Sequence, residues 1–171
     1  MSSKHKNLSS KTISDKDMSK KSVGIVWAKW NEDITCALKD GCAKTLEKNG
    51  LDKENLYIIE VPGAFELPFG AKLLLGQQKL DAVICIGCVI KGETSHNEYI
   101  NQTVAQTIAM LSLSSGKPVI YGVLTPNDKQ QALDRAGGKY GNKGDEAAIT
   151  AIEMIHLADQ LPQNQSSIGF N

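Results

Sequence analysis

The sequence predicts an α/β fold in which a parallel sheet lies between two layers of helices. Short apolar runs rich in β-branched residues alternate with segments whose apolar residues recur every three or four positions, which is the pattern of strands joined by helices. The strand-like runs are mostly apolar, as expected for strands that are covered on both faces. With 171 residues and 41% hydrophobic content, the chain is long enough for one such three-layer domain.

Four strands of a single parallel sheet are predicted at residues 22–27, 55–61, 81–87 and 117–124. The run "DAVICIG" at 81–87 is the most uniformly apolar and is predicted to be a central strand. Gly50 is a natural stop for the first helix, and Pro68 must lie near the first turn of the second. Helices are predicted at residues 33–50, 65–79, 95–114, 128–138 and 144–161.

The two ends of the chain differ in composition from the rest. Residues 1–21 carry six lysines, several serines and no apolar central region, so they are predicted to form a polar, flexible arm rather than a secretory signal. Residues 22–161 form the predicted domain, and the polar residues 162–171 are expected to fray. A formal net charge of zero and the lack of a bilayer-length apolar stretch disfavour nucleic-acid and membrane partners, and the expected location is cytoplasmic.

Four cysteines, Cys36, Cys42, Cys85 and Cys88, are expected to be reduced thiols. Cys85 and Cys88 have the C-x-x-C spacing of redox and zinc sites. A zinc site would need a second pair of ligands, and a redox pair usually opens a helix, whereas Cys85 lies inside a strand-like run. The pair is therefore predicted to consist of buried small hydrophobes, and no metal site is predicted.

Polar residues follow every predicted strand. They fall in the segments 27–31, 61–66, 87–96 and 124–128. Because ligands of parallel α/β sheets collect at the carboxyl ends of the strands, this shared placement predicts a single site at that edge.

The segment "GETSHNEYI" (92–100) allows two interpretations. Ser95 and Glu98 have the spacing of a capping box, which on spacing alone is favoured. The second interpretation is an anion site, because Gly92 permits close approach of the backbone to a ligand held by the N–H groups of a helix start. His96 would then lie in the first turn, where the helix dipole disfavours the imidazolium and a neutral imidazole can carry a proton.

Aromatic and acidic residues follow the first two strands. One of Trp27 and Trp30 is expected in the core, and the other, with Phe65, is expected to offer a flat face to a planar ring. Glu66 either favours a helix dipole or accepts hydrogen bonds from a ligand.

Arg135 is predicted to lie in a helix, followed by the glycine-rich segment 137–144 with Lys139 and Lys143. This segment is either a plain helix connector or a loop able to wrap an anion, in which case its lysines and the arginine supply the charge.

Five segments, taken together, resemble the lumazine synthase family over residues 22–160. They are "KWN" (29–31), "VPGAFELP" (61–68), "GCVIKGETSHNEYI" (87–100), "PVIYGVLT" (118–125) and "ALDRAGGKYGNKGDEAA" (132–148). The departures are small: Tyr121 stands where phenylalanine is common, Cys88 where a small hydroxyl residue is frequent, and Asp134 where glutamate is frequent.

The resemblance implies a transferase of riboflavin biosynthesis. It would condense 5-amino-6-(D-ribitylamino)uracil with 3,4-dihydroxy-2-butanone 4-phosphate, giving 6,7-dimethyl-8-ribityllumazine, phosphate and water, without a metal or cofactor. His96 is implied as the proton carrier and Arg135 as the partner of the phosphate. The implied substrate-binding residues are Trp30, Asn31, Ala64, Phe65, Glu66, Cys88, Val89, Ile90, Gly92, Glu93, Thr94, Ser95, Tyr121, Arg135 and Lys143.

The resemblance also implies a flavodoxin-like fold and a homopentamer whose sites lie between subunits. Tyr121, Arg135 and Lys143 would then come from the neighbouring subunit, and part of the arm would add a strand to the neighbour's sheet. The segment 137–148 lacks an insertion found in members that stop at pentamers, which predicts an icosahedral shell, with riboflavin synthase suggested as a further partner. The alternative is a non-catalytic lumazine- or flavin-binding protein, or a shell-forming protein, on the same scaffold.

Overall fold

The computed structural model describes residues 17–161, and within them strands and helices alternate as predicted. The sheet strands are β1 (Val23–Ala28), β2 (Leu56–Val61), β3 (Ala82–Cys88) and β4 (Val119–Leu124). The helices are α1 (Glu32–Lys48), α2 (Leu67–Gln77), α3 (His96–Ser115), α4 (Lys129–Leu133) and α5 (Lys143–Gln160).

The four strands form one parallel sheet in the order β2-β1-β3-β4, which confirms the predicted sheet and agrees with the flavodoxin-like strand order. The central strands β1 and β3 are buried at every position. Strands β2 and β4 are the edges and are partly exposed. The uniformly apolar run 81–87 is therefore the central strand that its composition predicted.

Helices cover both faces of the sheet and give the predicted three layers. On one face, α1 and α5 pack against Ile25 of β1 and Ile84 of β3. On the other, α2 and α3 pack against Val26 of β1 and Val83 of β3. Neighbouring residues of a strand point to opposite faces, so each central strand contributes side chains to both cores. We refer below to the α1/α5 layer and the α2/α3 layer.

The prediction of a helix at residues 128–138 is confirmed for residues 129–133 and is wrong for the residues that follow. Helix α4 ends at Leu133, and the chain then forms a small antiparallel hairpin of β5 (Ala136–Gly138) and β6 (Gly141–Asn142). Gly137 and Gly141 adopt φ of +115° and +75°, a region that L residues rarely enter and that cannot continue a helix. Arg135 consequently lies in the turn between α4 and the hairpin, not in a helix.

The N-terminal boundary also differs from the prediction. The sequence predicts that residues 17–21 belong to the arm, but Met18 is 0% exposed and belongs to the core of the α1/α5 layer. Lys21 forms an ion pair of 2.8 Å with Asp159 near the end of α5. A single buried apolar side chain in a polar segment has no periodicity, so the sequence pattern could not reveal it. Residues 1–16 and the tail at 162–171 lie outside the described residues.

The hairpin is joined to α1 by a very close approach of the backbones. A Cβ added to Gly144 would overlap the carbonyl oxygen of Leu38, and one added to Gly41 would lie 2.6 Å from Asp145 Oδ1. The side chain of Asn142 donates to the carbonyl of Ala37 at 2.8 Å and accepts from the N–H of Gly144 at 2.7 Å. These contacts hold the start of α5, and with it the hairpin, against α1.

We expect Gly144→Ala to lower the free energy of unfolding by about 1–3 kcal/mol, because the added methyl group forces α5 away from α1. Chemical denaturation at a fixed protein concentration measures this change. Gly76→Ala is the matched control: Gly76 lies in α2 with open space around its Cα, so alanine should leave stability unchanged or raise it by about 0.5–1 kcal/mol. Equal destabilisation by both substitutions would contradict the close packing of α1 and α5.

Candidate active site

The carboxyl ends of the strands meet at one edge of the sheet, as the parallel topology requires. Beyond the strands themselves, backbone bonds continue from Lys29 to Val61 at 2.8 Å and from Val89 to Leu124 at 2.8 Å. The chain passes from β1 to β2 on one side and from β3 to β4 on the other. The connections that follow β1 and β3 therefore run in opposite directions from the gap between these two strands. Such a switch point forms a crevice, and it is the preferred ligand site of open α/β sheets.

Asn31 joins the two strands of this crevice. Its side-chain Nδ2 donates to the carbonyl oxygen of Cys88 at the end of β3, at 3.0 Å. Asn31 also has φ of +62°, and it alone among the non-glycine residues at 17–161 has a positive φ. Asparagine tolerates this conformation better than most residues, so one side chain both permits the sharp entry into α1 and ties β1 to β3.

The two tryptophans divide as predicted between core and surface. Trp27 is 9% exposed in the core, with Lys39 Nζ 5.1 Å from its ring centroid. Trp30 is 74% exposed, and its backbone N–H donates to the carbonyl of Pro62 at 3.1 Å. Phe65, 57% exposed, lies in the short 3₁₀ turn Ala64–Glu66 that follows β2. Two aromatic rings are thus presented to solvent at this edge of the sheet.

The turn that carries Phe65 also places Glu66. This residue precedes α2, and its Oε2 would lie 3.1 Å from a Cβ built on Gly63, so the carboxylate folds back over the turn. It is exposed, and no hydrogen bond of its carboxylate is found among the described residues. Glu66 therefore remains able to accept hydrogen bonds from a ligand, while Ala64 is buried against the α2/α3 core.

The capping box predicted at Ser95 and Glu98 is not formed. Ser95 is the residue before α3, but its side chain makes no capping bond, and its ψ of 6° is far from the extended conformation of a capping residue. The N–H of Glu98 instead donates to the Ser95 backbone carbonyl at 3.0 Å. Thr94 Oγ1 accepts from the N–H of His96 at a long 3.5 Å. The helix start is thus left without strong side-chain partners.

The loop before α3 is open. A Cβ built on Gly92 would meet nothing within 4 Å, and every residue from Lys91 to His96 is exposed. The loop is anchored at its start, where the N–H of Lys91 donates to the carbonyl of Pro126 at 3.0 Å. Exposed N–H groups at the start of a 20-residue helix favour an anion, so Gly92, Glu93, Thr94 and Ser95 surround a suitable place for one.

The residues at the end of β3 contact the core with their side chains. Val89 packs against the α2/α3 core and Ile90 against the α1/α5 core. Cys88 as a whole residue is 2% exposed, so a single chain offers a substrate almost none of its surface. Burial raises the pKa of the Cys85 and Cys88 thiols to about 12, which agrees with inert, apolar cysteines rather than a redox pair.

The cationic residues of the predicted site lie in the other helix layer. Ala132 and Ala136, on either side of Arg135, pack against the α1/α5 core, whereas His96 begins a helix of the α2/α3 layer. Lys143 begins α5, and its Nζ lies 2.7 Å from Glu146 Oε1. The glycine-rich loop is therefore not a free anion loop but a hairpin with one of its lysines already paired.

Tyr121 lies in the middle of the edge strand β4, opposite Cys85, and not at the carboxyl end. It is 39% exposed, and partial burial raises the pKa of its phenol. Within one chain, the aromatic residues, Asn31, Glu66 and His96 all follow the carboxyl ends of β1, β2 and β3. Tyr121 lies within β4, while Arg135 and Lys143 adjoin the α1/α5 layer.

Comparison with known proteins decides the family. The profile of the 6,7-dimethyl-8-ribityllumazine synthase family matches residues 20–159. A protein of that name from Cytophaga hutchinsonii is 52% identical over 155 residues, covering 91% of this chain and 98% of the relative. Another from Bacteroides fragilis is 54% identical over 138 residues, covering 81% and 96%, and one from Parabacteroides distasonis is 51% identical over 142 residues, covering 83% and 89%.

The chain belongs to the 6,7-dimethyl-8-ribityllumazine synthase family. The resemblance seen in the five sequence segments is thereby confirmed, and so is an enzyme of the transferase class. Within residues 17–161, no cluster of three metal-ligating side chains occurs, and no helix is long and apolar enough to cross a membrane.

Two structural residues of this family member were missed from the sequence. Tyr140 lies in the turn of the hairpin with its ring close to Arg135, and Asn142 links the hairpin to α1. The signal that could have revealed the hairpin is the run of turn-forming residues in "GKYGN", in which glycines flank a short turn. Asn142 contacts Ala37, which is far away in the sequence, and Tyr140 contacts Arg135 through a hairpin that periodicity does not predict. The roles of both side chains are therefore visible only in the folded chain.

The thiols provide a test of burial at this site. At pH 8 we expect a thiol reagent such as Ellman's reagent to modify Cys36 first, because Cys36 is partly exposed while the other three cysteines are buried. Burial raises the pKa of Cys42, Cys85 and Cys88, so little reactive thiolate exists at this pH. All four should react in guanidinium chloride. Reaction of Cys88 in the native protein as fast as Cys36 would show that the end of β3 is open.

Proposed function

We propose that the chain condenses 5-amino-6-(D-ribitylamino)uracil with 3,4-dihydroxy-2-butanone 4-phosphate to 6,7-dimethyl-8-ribityllumazine, at a site completed by a neighbouring subunit. One observation carries the proposal of a shared site: His96 begins a helix of the α2/α3 layer, while Arg135 and Lys143 adjoin the α1/α5 layer. Membership of the synthase family and relatives near 50% identity support the reaction. Nothing in these relatives favours a non-catalytic binding or shell protein.

The ring substrate fits the aromatic part of the crevice. Trp30 and Phe65 offer flat faces for a pyrimidine, and such stacking is favourable because the rings bury apolar area on contact. Glu66 can accept hydrogen bonds from ribityl hydroxyl or ring N–H groups. Asn31 acts by holding β1 and β3 at a fixed separation, so that Val89 and Ile90 flank the ring with their backbone.

The phosphorylated substrate fits the open start of α3. Its phosphate would accept hydrogen bonds from the N–H groups around Gly92 and Ser95, where the helix dipole also favours negative charge. Arg135 of the neighbouring subunit would complete this site, because a guanidinium can pair with two phosphate oxygens at once. Lys143 would contribute by sharing its charge between Glu146 and the substrate.

His96 is proposed to move protons between the two substrates. Attack of the uracil amine on the ketone forms a carbon–nitrogen bond, and loss of water from that adduct needs a proton on the leaving hydroxyl. Elimination of phosphate then needs removal of a proton from carbon, and ring closure by the ribityl-bearing nitrogen releases a second water. An exposed imidazole in the first turn of α3, next to the proposed phosphate position, can give and accept these protons.

Assembly into a homopentamer is part of the proposal. Helix α3 has no charged residue from Tyr99 to Gly116, yet Tyr99, Met110 and Leu113 are among its strongly exposed side chains. Exposed apolar area of this kind commonly marks a protein interface. Further assembly into an icosahedral shell, contact with riboflavin synthase, addition of the N-terminal arm to a neighbour's sheet and a cytoplasmic location all remain predictions.

The purified protein should form 6,7-dimethyl-8-ribityllumazine from the two substrates, as followed by the fluorescence of the product. We expect His96→Ala to reduce kcat by about tenfold to a thousandfold, because positioning of the substrates still contributes to the rate when the proton carrier is lost. Oligomer size by light scattering should not change. An unchanged kcat would remove His96 from the mechanism, and a lack of product from the unaltered protein would overturn the proposed reaction.

A mixture of two defective variants tests whether the site is shared. Coexpression of His96→Ala and Arg135→Ala chains, each with its own tag, should restore up to about a quarter of the wild-type activity, since random closed rings then contain that share of sites with both residues intact. Native mass spectrometry of doubly purified oligomers confirms mixing. Mixed oligomers that are no more active than the average of the two parents would place His96 and Arg135 of one chain in the same site.

A further inference from the structure

The ring of Tyr140 lies against the guanidinium of Arg135. The Arg135 Cζ is 5.0 Å from the ring centroid, within the range at which a cation is attracted to the face of an aromatic ring. Lys139 Nζ lies 5.3 Å from the same centroid. One aromatic side chain therefore attracts two cations of the hairpin segment, and one of them is the proposed partner of the substrate phosphate.

The backbone of the hairpin brings this ring to Arg135. The N–H of Tyr140 donates to the carbonyl of Asp134 at 2.7 Å, and the N–H of Lys143 donates to the carbonyl of Arg135 at 2.8 Å. A Cβ built on Gly138 would lie 2.8 Å from the Leu133 carbonyl oxygen, so only glycine lets the hairpin fold this closely over the end of α4. The turn that contains Tyr140 is thus held directly over the turn that contains Arg135.

The other contact of Arg135 leaves most of its donors available. Arg135 Nη1 donates to the carbonyl of Gln131 at 2.9 Å. The backbone of Gln131 is itself held by the side chain of Asp128, which accepts from the Gln131 N–H at 2.8 Å. A guanidinium has five N–H donors, and this is the one hydrogen bond of the Arg135 side chain found among residues 17–161. The Tyr140 ring contacts the face of the Arg135 guanidinium and not its N–H edges. The contact can therefore orient the guanidinium while its N–H donors stay available.

We propose that Tyr140 is a positioning residue for the phosphorylated substrate. Its ring and the Gln131 carbonyl fix the plane of the Arg135 guanidinium, and the remaining N–H edge is thereby held ready to pair with the phosphate. This inference rests on the proposed function of Arg135. Without the ring, a long arginine side chain in a turn has many rotamers, and restricting it on binding would weaken the affinity for phosphate. The contribution of Tyr140 is therefore to binding of one substrate and not to the chemical step.

Steady-state kinetics of Tyr140→Leu and Tyr140→Phe test this role. We expect Tyr140→Leu to raise the KM for the butanone phosphate about three- to thirtyfold, the range that corresponds to a cation–aromatic contact, with little change in kcat or in the KM for the ribitylaminouracil. Tyr140→Phe keeps the aromatic ring face, so its KM for the butanone phosphate should stay close to the wild-type value. Tyr57→Leu, which removes another half-buried tyrosine on β2, is the control for a general loss of packing.

A double substitution separates this proposal from that for Arg135. Arg135→Ala should raise the same KM, and adding Tyr140→Leu to it should have little further effect, because the ring acts through the guanidinium. If Arg135→Ala leaves the KM unchanged, the proposed phosphate contact of Arg135 is wrong. If Arg135→Ala raises the KM but Tyr140→Leu does not, or if Tyr140→Leu has its full effect without the arginine, the positioning role is overturned while the proposed function stands.

Discussion

The pairing of β1 with β2 on one side and β3 on the other is the constraint on which the site depends. It places the carboxyl ends of the central strands side by side and opens a crevice between their connections. The Asn31 side chain links the residues after β1 to the end of β3 by donating to the Cys88 carbonyl. Trp30, Phe65 and His96 all follow strands that end here, so their positions are set by strand order and not by contacts with one another.

Division of the helices into two layers is the basis for proposing that one chain holds only part of the site. The α2/α3 layer carries His96 and the open helix start, while the α1/α5 layer carries the hairpin with Arg135. The hairpin is fixed to its own layer by the contact of Gly144 with Leu38 and by Asn142. Tightly packed backbone holds these cations in the α1/α5 layer, and this is why a neighbouring subunit is proposed to supply the charge for the phosphate.

Local pattern predicted the regular elements and failed where the chain turns. Apolar periodicity placed all four sheet strands within about two residues, but it left open which of Trp27 and Trp30 is exposed. It extended the helix at 128–138 through Arg135, because Ala132, Leu133 and Ala136 are spaced three and four residues apart, as on one face of a helix. The capping box at Ser95 failed for a related reason: spacing indicates which atoms can meet, but the backbone angle of Ser95 prevents it.

The sequence by itself determined the α/β class, the shared edge for the chemical residues and the family, because each depends on residues close together in the chain or on several segments in order. Tertiary structure alone decided that Met18 belongs to the core, that Arg135 lies beside Tyr140, and that the cations and His96 occupy different layers. These features depend on contacts between residues distant in sequence, or on positive φ angles that few residues other than glycine adopt. No local periodicity records such contacts, so they emerge only when the chain is folded.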